Sequence, residues 1–233
     1  MMDHDRIYRS EAERYDRMIA REDREGNLMR MIRAVAPDLD RLNAADIGTG
    51  TGRLARMLAP RVRSILATDA SQAMLDIAAM HLRAEAGTDN WKTVPGTNDK
   101  LPIADKSIDL LTAGWTICYS ASSNIPDWEG NLARIVDELS RVLKLGGTAI
   151  LFENYGTGAS EPNPPDFLRA YFCKLEQDYG FDHACIRTDY EFESPEEAAE
   201  LTDFFFGSDI SREVVRTQSR IVPECTGVWW KRF

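Results

Sequence analysis

The segment AADIGTGTGRLARML, residues 44–58, sets glycines at 48, 50 and 52 between an apolar run and a helical pattern. A backbone without side chains turns sharply and comes close to whatever lies against it, and a helix opening there presents unpaired N–H groups. A strand ending at Ile47, a glycine turn and a helix beginning near Gly52 therefore predict a ligand cradle. Asp69 lies 21 residues beyond Gly48, at the end of the next apolar run, SILATD. A carboxylate at that place can accept both hydroxyls of a ribose. The spacing is G-x-G-x-G, and Arg53 stands where the third glycine of a dinucleotide fingerprint would fall. That weakens the reading of a nicotinamide-dependent oxidoreductase.

Around the cradle, short apolar runs alternate with helical patterns. Strands are expected near 43–47, 64–68, 91–94, 108–113 and 148–153, with helices near 52–59, 72–86 and 128–143. Such alternation implies parallel strands joined by right-handed crossovers, an α/β sheet covered on both faces. Ser71 is placed to cap the helix over 72–86, and Gly87 to stop it. Beyond 154 the pattern changes to a loop, a helix near 165–179 and a strand near 183–192. Next comes SPEEAAELTDFFFG, with Ser194 as cap, Glu197 closing the capping box and Gly207 as the stop. The tail RIVPECTGVWWKRF reads as strand material broken by Pro223 and Gly227, giving a final antiparallel pair at one sheet edge. Trp229 and Trp230, adjacent on a strand, face opposite sides, so at most one lines a pocket.

At the other end, residues 6–25 interleave Arg with Asp and Glu while Tyr8, Ala12, Tyr15 and Ile19 recur at helical spacing, an amphipathic helix. A second helical segment, NLMRMIRAVA, leads to Pro37.

The net charge of −10 opposes a polyanionic partner, because nucleic-acid binding needs a basic face. A small-molecule ligand is the expectation, with no nucleic acid and no membrane: the apolar runs are too short to span a bilayer. The charged N-terminus predicts no secretory signal, and four scattered cysteines predict free thiols and a cytoplasmic location. Three histidines without a ligand pattern predict no metal.

DIGTGTGRLA resembles the first motif of class I S-adenosylmethionine-dependent methyltransferases, and ATDAS their second. LPIADKSIDLLTAGW resembles the loop and fourth strand of the branch that includes many small-molecule methyltransferases (type 11-like), and RVLKLGGTAILFE its fifth-strand motif. The four run in family order over residues 44–153. The resemblance implies a Rossmann-like seven-stranded mixed sheet with helices on both faces and one reversed C-terminal strand. A single domain over 1–233 would comprise an N-terminal helical lid (1–36), a cofactor-binding core (43–153) and a C-terminal part with the antiparallel pair (154–233). By position, Asp46 and the backbone of Gly48, Thr49, Gly50 and Gly52 would hold the methionine part of S-adenosylmethionine. Asp69, with Ala70 beside it, would take the ribose, and Met74 would pack on adenine. Thr97 stands where an acidic residue often meets the adenine amino group, so Asn98 or Asp99 must substitute.

Methyl transfer is an in-line displacement that asks the protein mainly for alignment, and sometimes for a base. Ala113, Gly114 and Trp115 end the fourth strand beside that point. Trp115, Tyr119, Glu153 and the lid residue Tyr15 are the acceptor-site candidates; rim or core packing also accounts for each aromatic. No catalytic base is identified. The expected product is S-adenosylhomocysteine, from a monomer or homodimer acting at O or N of a small molecule. The rival in another class is a protein that holds the cofactor without transferring methyl.

Overall fold

The computed structural model describes residues 11–233; Tyr8, His4 and the first part of the predicted helix over 6–25 lie outside them. A seven-stranded sheet has the order β3-β2-β1-β4-β5-β9-β6. Its strands are β1 (Asn43–Ile47), β2 (Ser64–Asp69), β3 (Trp91–Pro95), β4 (Ile108–Gly114), β5 (Leu143–Thr157), β6 (Asp182–Arg187) and β9 (Glu224–Arg232). Every neighbour pair from β3 through β5 is parallel, while β9 runs antiparallel to both β5 and β6. One reversed strand lies second from the edge, as the resemblance implies.

Alternation along each strand separates two cores. Ala45, Ile47, Leu111, Ala113, Ala149, Leu151 and Trp229 pack on one face with Leu132, Ile135 and Leu139 of α6 (Trp128–Val142) and Leu168, Tyr171 and Leu175 of α7 (Asp166–Gln177). Ala44, Leu110, Ile150, Phe152 and Val228 face the other way. They meet α2 (Asn27–Val35), α3 (Arg53–Leu58) and α4 (Gln72–Glu85). The two tryptophans therefore divide between the cores, and neither lines the cavity described below.

Local signals act as their chemistry requires. Ser71 Oγ accepts from the Met74 N–H (3.4 Å), and Gly87 ends the same helix at φ +63°. Ser194 Oγ accepts from the Glu197 N–H (3.2 Å), and the Glu197 carboxylate reaches back to the Glu193 N–H (2.7 Å). These bonds start α8 (Pro195–Phe206).

Two expectations are corrected. The strand over 183–192 is two: β6 stops at Arg187 and β7 (Tyr190–Glu191) pairs instead with β8 (Ile221–Val222) in a separate two-stranded sheet. Between them the Thr188 and Asp189 carbonyls accept from Asp23 and Arg24, which turns the chain away from β9. Gly207 stops α8 as expected, at φ +90°, and α9 (Ser208–Thr217) starts directly after it. Gly227, by contrast, does not break its strand: a Cβ there would sit 2.4 Å from the Trp229 ring, so glycine makes room for the indole folded over it.

A third, smaller core joins the two ends of the chain. Met18 and Ile19 of α1 (Ala12–Ile19) pack with Tyr190, Phe192, Ala198, Leu201, Val214 and Val222. Arg14 pairs with Glu200 and Arg17 with Glu197, so the charged face of α1 is stitched to α8, and Arg21 just past α1 adds pairs to Glu193 and Glu197.

Candidate active site

The cradle forms where β1 meets the glycine turn. Gly48 adopts φ +57°, and a Cβ there would lie 1.9 Å from Thr116 Oγ1, so no side chain is admissible. The Thr49 N–H donates to the Thr68 carbonyl (2.8 Å), holding the turn against β2. Asp69 completes the tie: Oδ2 accepts from the Gly50 N–H (2.9 Å) and Oδ1 from the Ser71 N–H (2.8 Å). Each oxygen keeps lone-pair capacity for one outside donor. Burial pushes the Asp69 carboxyl up, and the N–H bonds from Ser71 and Gly50 oppose it. Above Gly50 a Cβ would meet nothing within 4 Å, which leaves the ledge open.

Asp46 lies beneath the turn, 1% exposed. Thr49 Oγ1 donates to its Oδ2 (2.5 Å) and Thr112 Oγ1 to its Oδ1 (2.7 Å). Burial lifts its carboxyl to about 6, with these hydroxyls pulling the other way.

The cradle opens into a cavity of about 1230 Å³. Asp46, Gly48, Thr49, Gly50, Asp69, Ala70 and Met74 wall one part of it, and Asn98, Asp99 and Gly114 continue the wall. Asn98 Nδ2 donates to Thr116 Oγ1 (3.0 Å), which links the loop after β3 to the end of β4. Tyr15, Trp115 and Tyr119 also face the cavity. Burial raises the Tyr15 phenol to about 12, against the pull of Arg53, so it is a neutral group at ordinary pH.

Three of the residues singled out in the sequence stand off the wall. Gly52 sits where a Cβ would lie 3.1 Å from Ala78 Cβ, so its work is the close approach of α3 to α4. Ala113, 1% exposed, points into the core, because β4 alternates. Glu153 is 1% exposed behind α5 (Cys118–Ala121). Its Oε1 accepts from the Cys118 N–H (3.1 Å) and the Tyr171 hydroxyl (3.2 Å), and burial raises its carboxyl to about 7.

Other residues enter the wall without a sequence signal. The Arg53 guanidinium lies 3.9 Å from the Trp115 ring centroid and pairs with Glu22. The Tyr190 hydroxyl donates to the same Glu22 oxygen (3.1 Å). Glu224, at the start of β9, is 2% exposed and faces the cavity. Arg53 thus has a use that the fingerprint comparison does not suggest: it is the cation of a buried polar cluster. Such a pair in low dielectric is costly unless its remaining bonds are met. Phe205 and Phe206 of α8 line the cavity too. Among the described residues no group of three or more His, Cys, Asp or Glu could hold a metal, and no helix is long and apolar enough to cross a membrane.

Residues 45–151 match the family model described as a methyltransferase domain. The chain is 35% identical over 113 residues to the biotin biosynthesis bifunctional protein BioHC of Cellvibrio japonicus (strain Ueda107), covering 48% of this chain and 20% of that protein. It is 32% identical over 110 residues to the uncharacterized methyltransferase YcgJ of Bacillus subtilis (strain 168), covering 47% of this chain and 40% of that one. The chain therefore spans less than half the length of these curated relatives. The crystal structure of YcgJ is similar with a TM-score of 0.59 at 16% identity, over 89% of this chain and 98% of that chain. A SAM-dependent methyltransferase from Aquifex aeolicus gives a TM-score of 0.55 at 15% identity, over 89% and 93% of the two chains. Strand order, motif order and the family match agree: residues 45–151 are similar to a methyltransferase domain, and the sheet has the Rossmann-like methyltransferase fold of these neighbours.

Proposed function

We propose that the protein methylates O or N of a small-molecule acceptor, with S-adenosylmethionine as donor. The observation that carries this reading is the continuity of one cavity from Asp69 and the glycine ledge to an aromatic corner built by Tyr15, Phe205 and Phe206. A nucleoside-fitting end and a second compartment in one cavity are what two-substrate transfer needs.

The residues present fit the donor. The ledge over Gly50 is open, Asp69 has acceptor capacity for ribose hydroxyls, and the buried Thr51 hydroxyl on the cavity wall has no partner among the described residues. The backbone of Gly48, Thr49 and Gly50, with Asp46, would hold the methionine part, Asp69 the ribose, and Met74 with Asn98 or Asp99 the adenine. When bound, the donor supplies a methyl group on a positively charged sulfur. The chain itself contributes alignment and dryness: Trp115 is fixed by its N–H bond to the Phe152 carbonyl (2.7 Å), and the aromatic corner excludes water. The net charge of −10 supports a small acceptor over a nucleic acid.

Calorimetry tests the reading. S-adenosylmethionine and S-adenosylhomocysteine should bind, and NAD should not. Saturable NAD binding with neither of the others overturns it.

A further inference from the structure

Two carboxyl groups face the cavity with oxygens that no group among the described residues meets. Glu224 Oε2 and Glu22 Oε1 are both buried without a hydrogen-bond partner among those residues. Glu22 shares its other oxygen between Arg53 and the Tyr190 hydroxyl. Glu224 feels its neighbour: burial, then the charge of Glu22, pushes the Glu224 carboxyl well up, against the Thr157 hydroxyl and Arg53. Asp189 also faces Glu224, and its Oδ1 accepts from the Glu224 N–H (3.0 Å). Among the described residues these two cavity acids thus share one cation, Arg53. Unmet carboxylate oxygens in a buried wall are costly, and a second cation would remove that cost.

The surroundings define what carries the cation. The Tyr190 ring is 5.9 Å from Phe206, Phe206 is 5.1 Å from Phe205, and Phe205 is 5.3 Å from Tyr15. All four rings face the same cavity, an apolar wall continuing from the acid pair. Glu224 lies on β9, on the far side of β5 from the glycine turn and Asp69, opposite Thr157 in register.

Resting on the reading of this cavity as a methyl-transfer site, we infer that the acceptor carries a basic nitrogen on an apolar body, its ammonium held between Glu22 and Glu224 and its body against the rings. An alcohol or a carboxylate of the same shape leaves the acids unmet or repelled.

The test uses three isosteric probes, 2-phenylethylamine, 2-phenylethanol and phenylacetate, titrated calorimetrically into the full chain saturated with S-adenosylhomocysteine. The amine should bind at least about tenfold more tightly than the alcohol, and phenylacetate most weakly. Glu224→Gln should erase the preference for amine over alcohol and leave S-adenosylhomocysteine affinity unchanged. Glu22→Gln leaves Arg53 without its carboxylate and should shift the preference toward phenylacetate, a reversal that loss of packing alone does not produce. It also serves should Glu224→Gln not fold. Equal binding of amine and alcohol, or no amine binding in the millimolar range, overturns the inference. So does a loss of S-adenosylhomocysteine affinity in Glu224→Gln, which gives the acids to the cofactor's own ammonium. Failure of S-adenosylhomocysteine to bind sinks the methyltransferase reading instead, and the amine titration of the unliganded protein still decides the acid pair.

Discussion

Asp69 is the residue whose loss should separate cofactor binding from folding most cleanly. Its two oxygens already accept one backbone N–H each, from Gly50 and Ser71, and each can take one ribose hydroxyl besides. Hydrogen bonds to a charged acceptor are worth about 1.5–3 kcal/mol each. Asp69 is only partly buried, so water can enter the space a missing carboxyl leaves. The net expectation for Asp69→Ala is therefore about one such bond, a ten- to hundredfold loss of S-adenosylhomocysteine affinity on the order of 1.5–3 kcal/mol. Asp69→Asn is a finer probe. Because the two N–H donors approach different oxygens, an amide NH2 must face one of them, so one tie is lost along with the charge. Its affinity loss should fall between wild type and Ala, while thermal melting shows both variants folded. Calorimetry on the two variants gives the numbers. A folded Asp69→Ala that binds S-adenosylhomocysteine as wild type does would refute the ribose assignment and the cradle argument with it.

Other consequences can be measured separately. Burial raises the Glu153 carboxyl to about 7, above the ordinary glutamate range, so the folded state binds more protons between the two and stability falls as pH rises through that window. Denaturant titrations should show a fall of about 2–4 kcal/mol across that window, flattened in Glu153→Gln; an unchanged slope would mean the carboxyl titrates normally. Gly48→Ala places a Cβ 1.9 Å from Thr116 Oγ1 at φ +57° and should cost about 2–4 kcal/mol. Adding Thr116→Gly should recover the steric part, and no recovery in the double variant denies the clash. If α1 with α8 closes over the cavity, amide exchange in residues 12–25 and 195–217 should slow together when S-adenosylhomocysteine is added, since ion pairs and one small core join them. Strong protection of both before ligand is added counts against closure.

The five parallel strands and their helices are legible because each carries its own local pattern. Strands buried on both faces read as apolar runs, the crossover helices have the longer period, and caps at Ser71 and Ser194 mark their starts. The cradle is legible for a related reason. A glycine turn binds through contiguous backbone, so one short stretch of sequence contains nearly the whole device. Asp69 is found as the end of the adjacent strand.

The region from Thr188 to Val222 reads less well, because its order depends on partners far away in the chain. Nothing within residues 183–192 says that β6 must release Tyr190 to β8. That follows from Asp23 and Arg24 reaching the Thr188 and Asp189 carbonyls from the first part of the chain. Gly227 carried a signal that the period of two offers: it shares a face with Trp229, and a ring at i+2 can fill the space a glycine leaves. The acid pair has no comparable signal. Glu22, Arg53, Tyr190 and Glu224 come from four separated segments, and each alone reads as an ordinary charged or aromatic residue. They become neighbours only where the segment after α1, the start of α3, β7 and the start of β9 meet. The half of the cavity made from backbone is therefore written in a motif. The half made from side chains is written in topology, and on the proposed reading that half would select the acceptor.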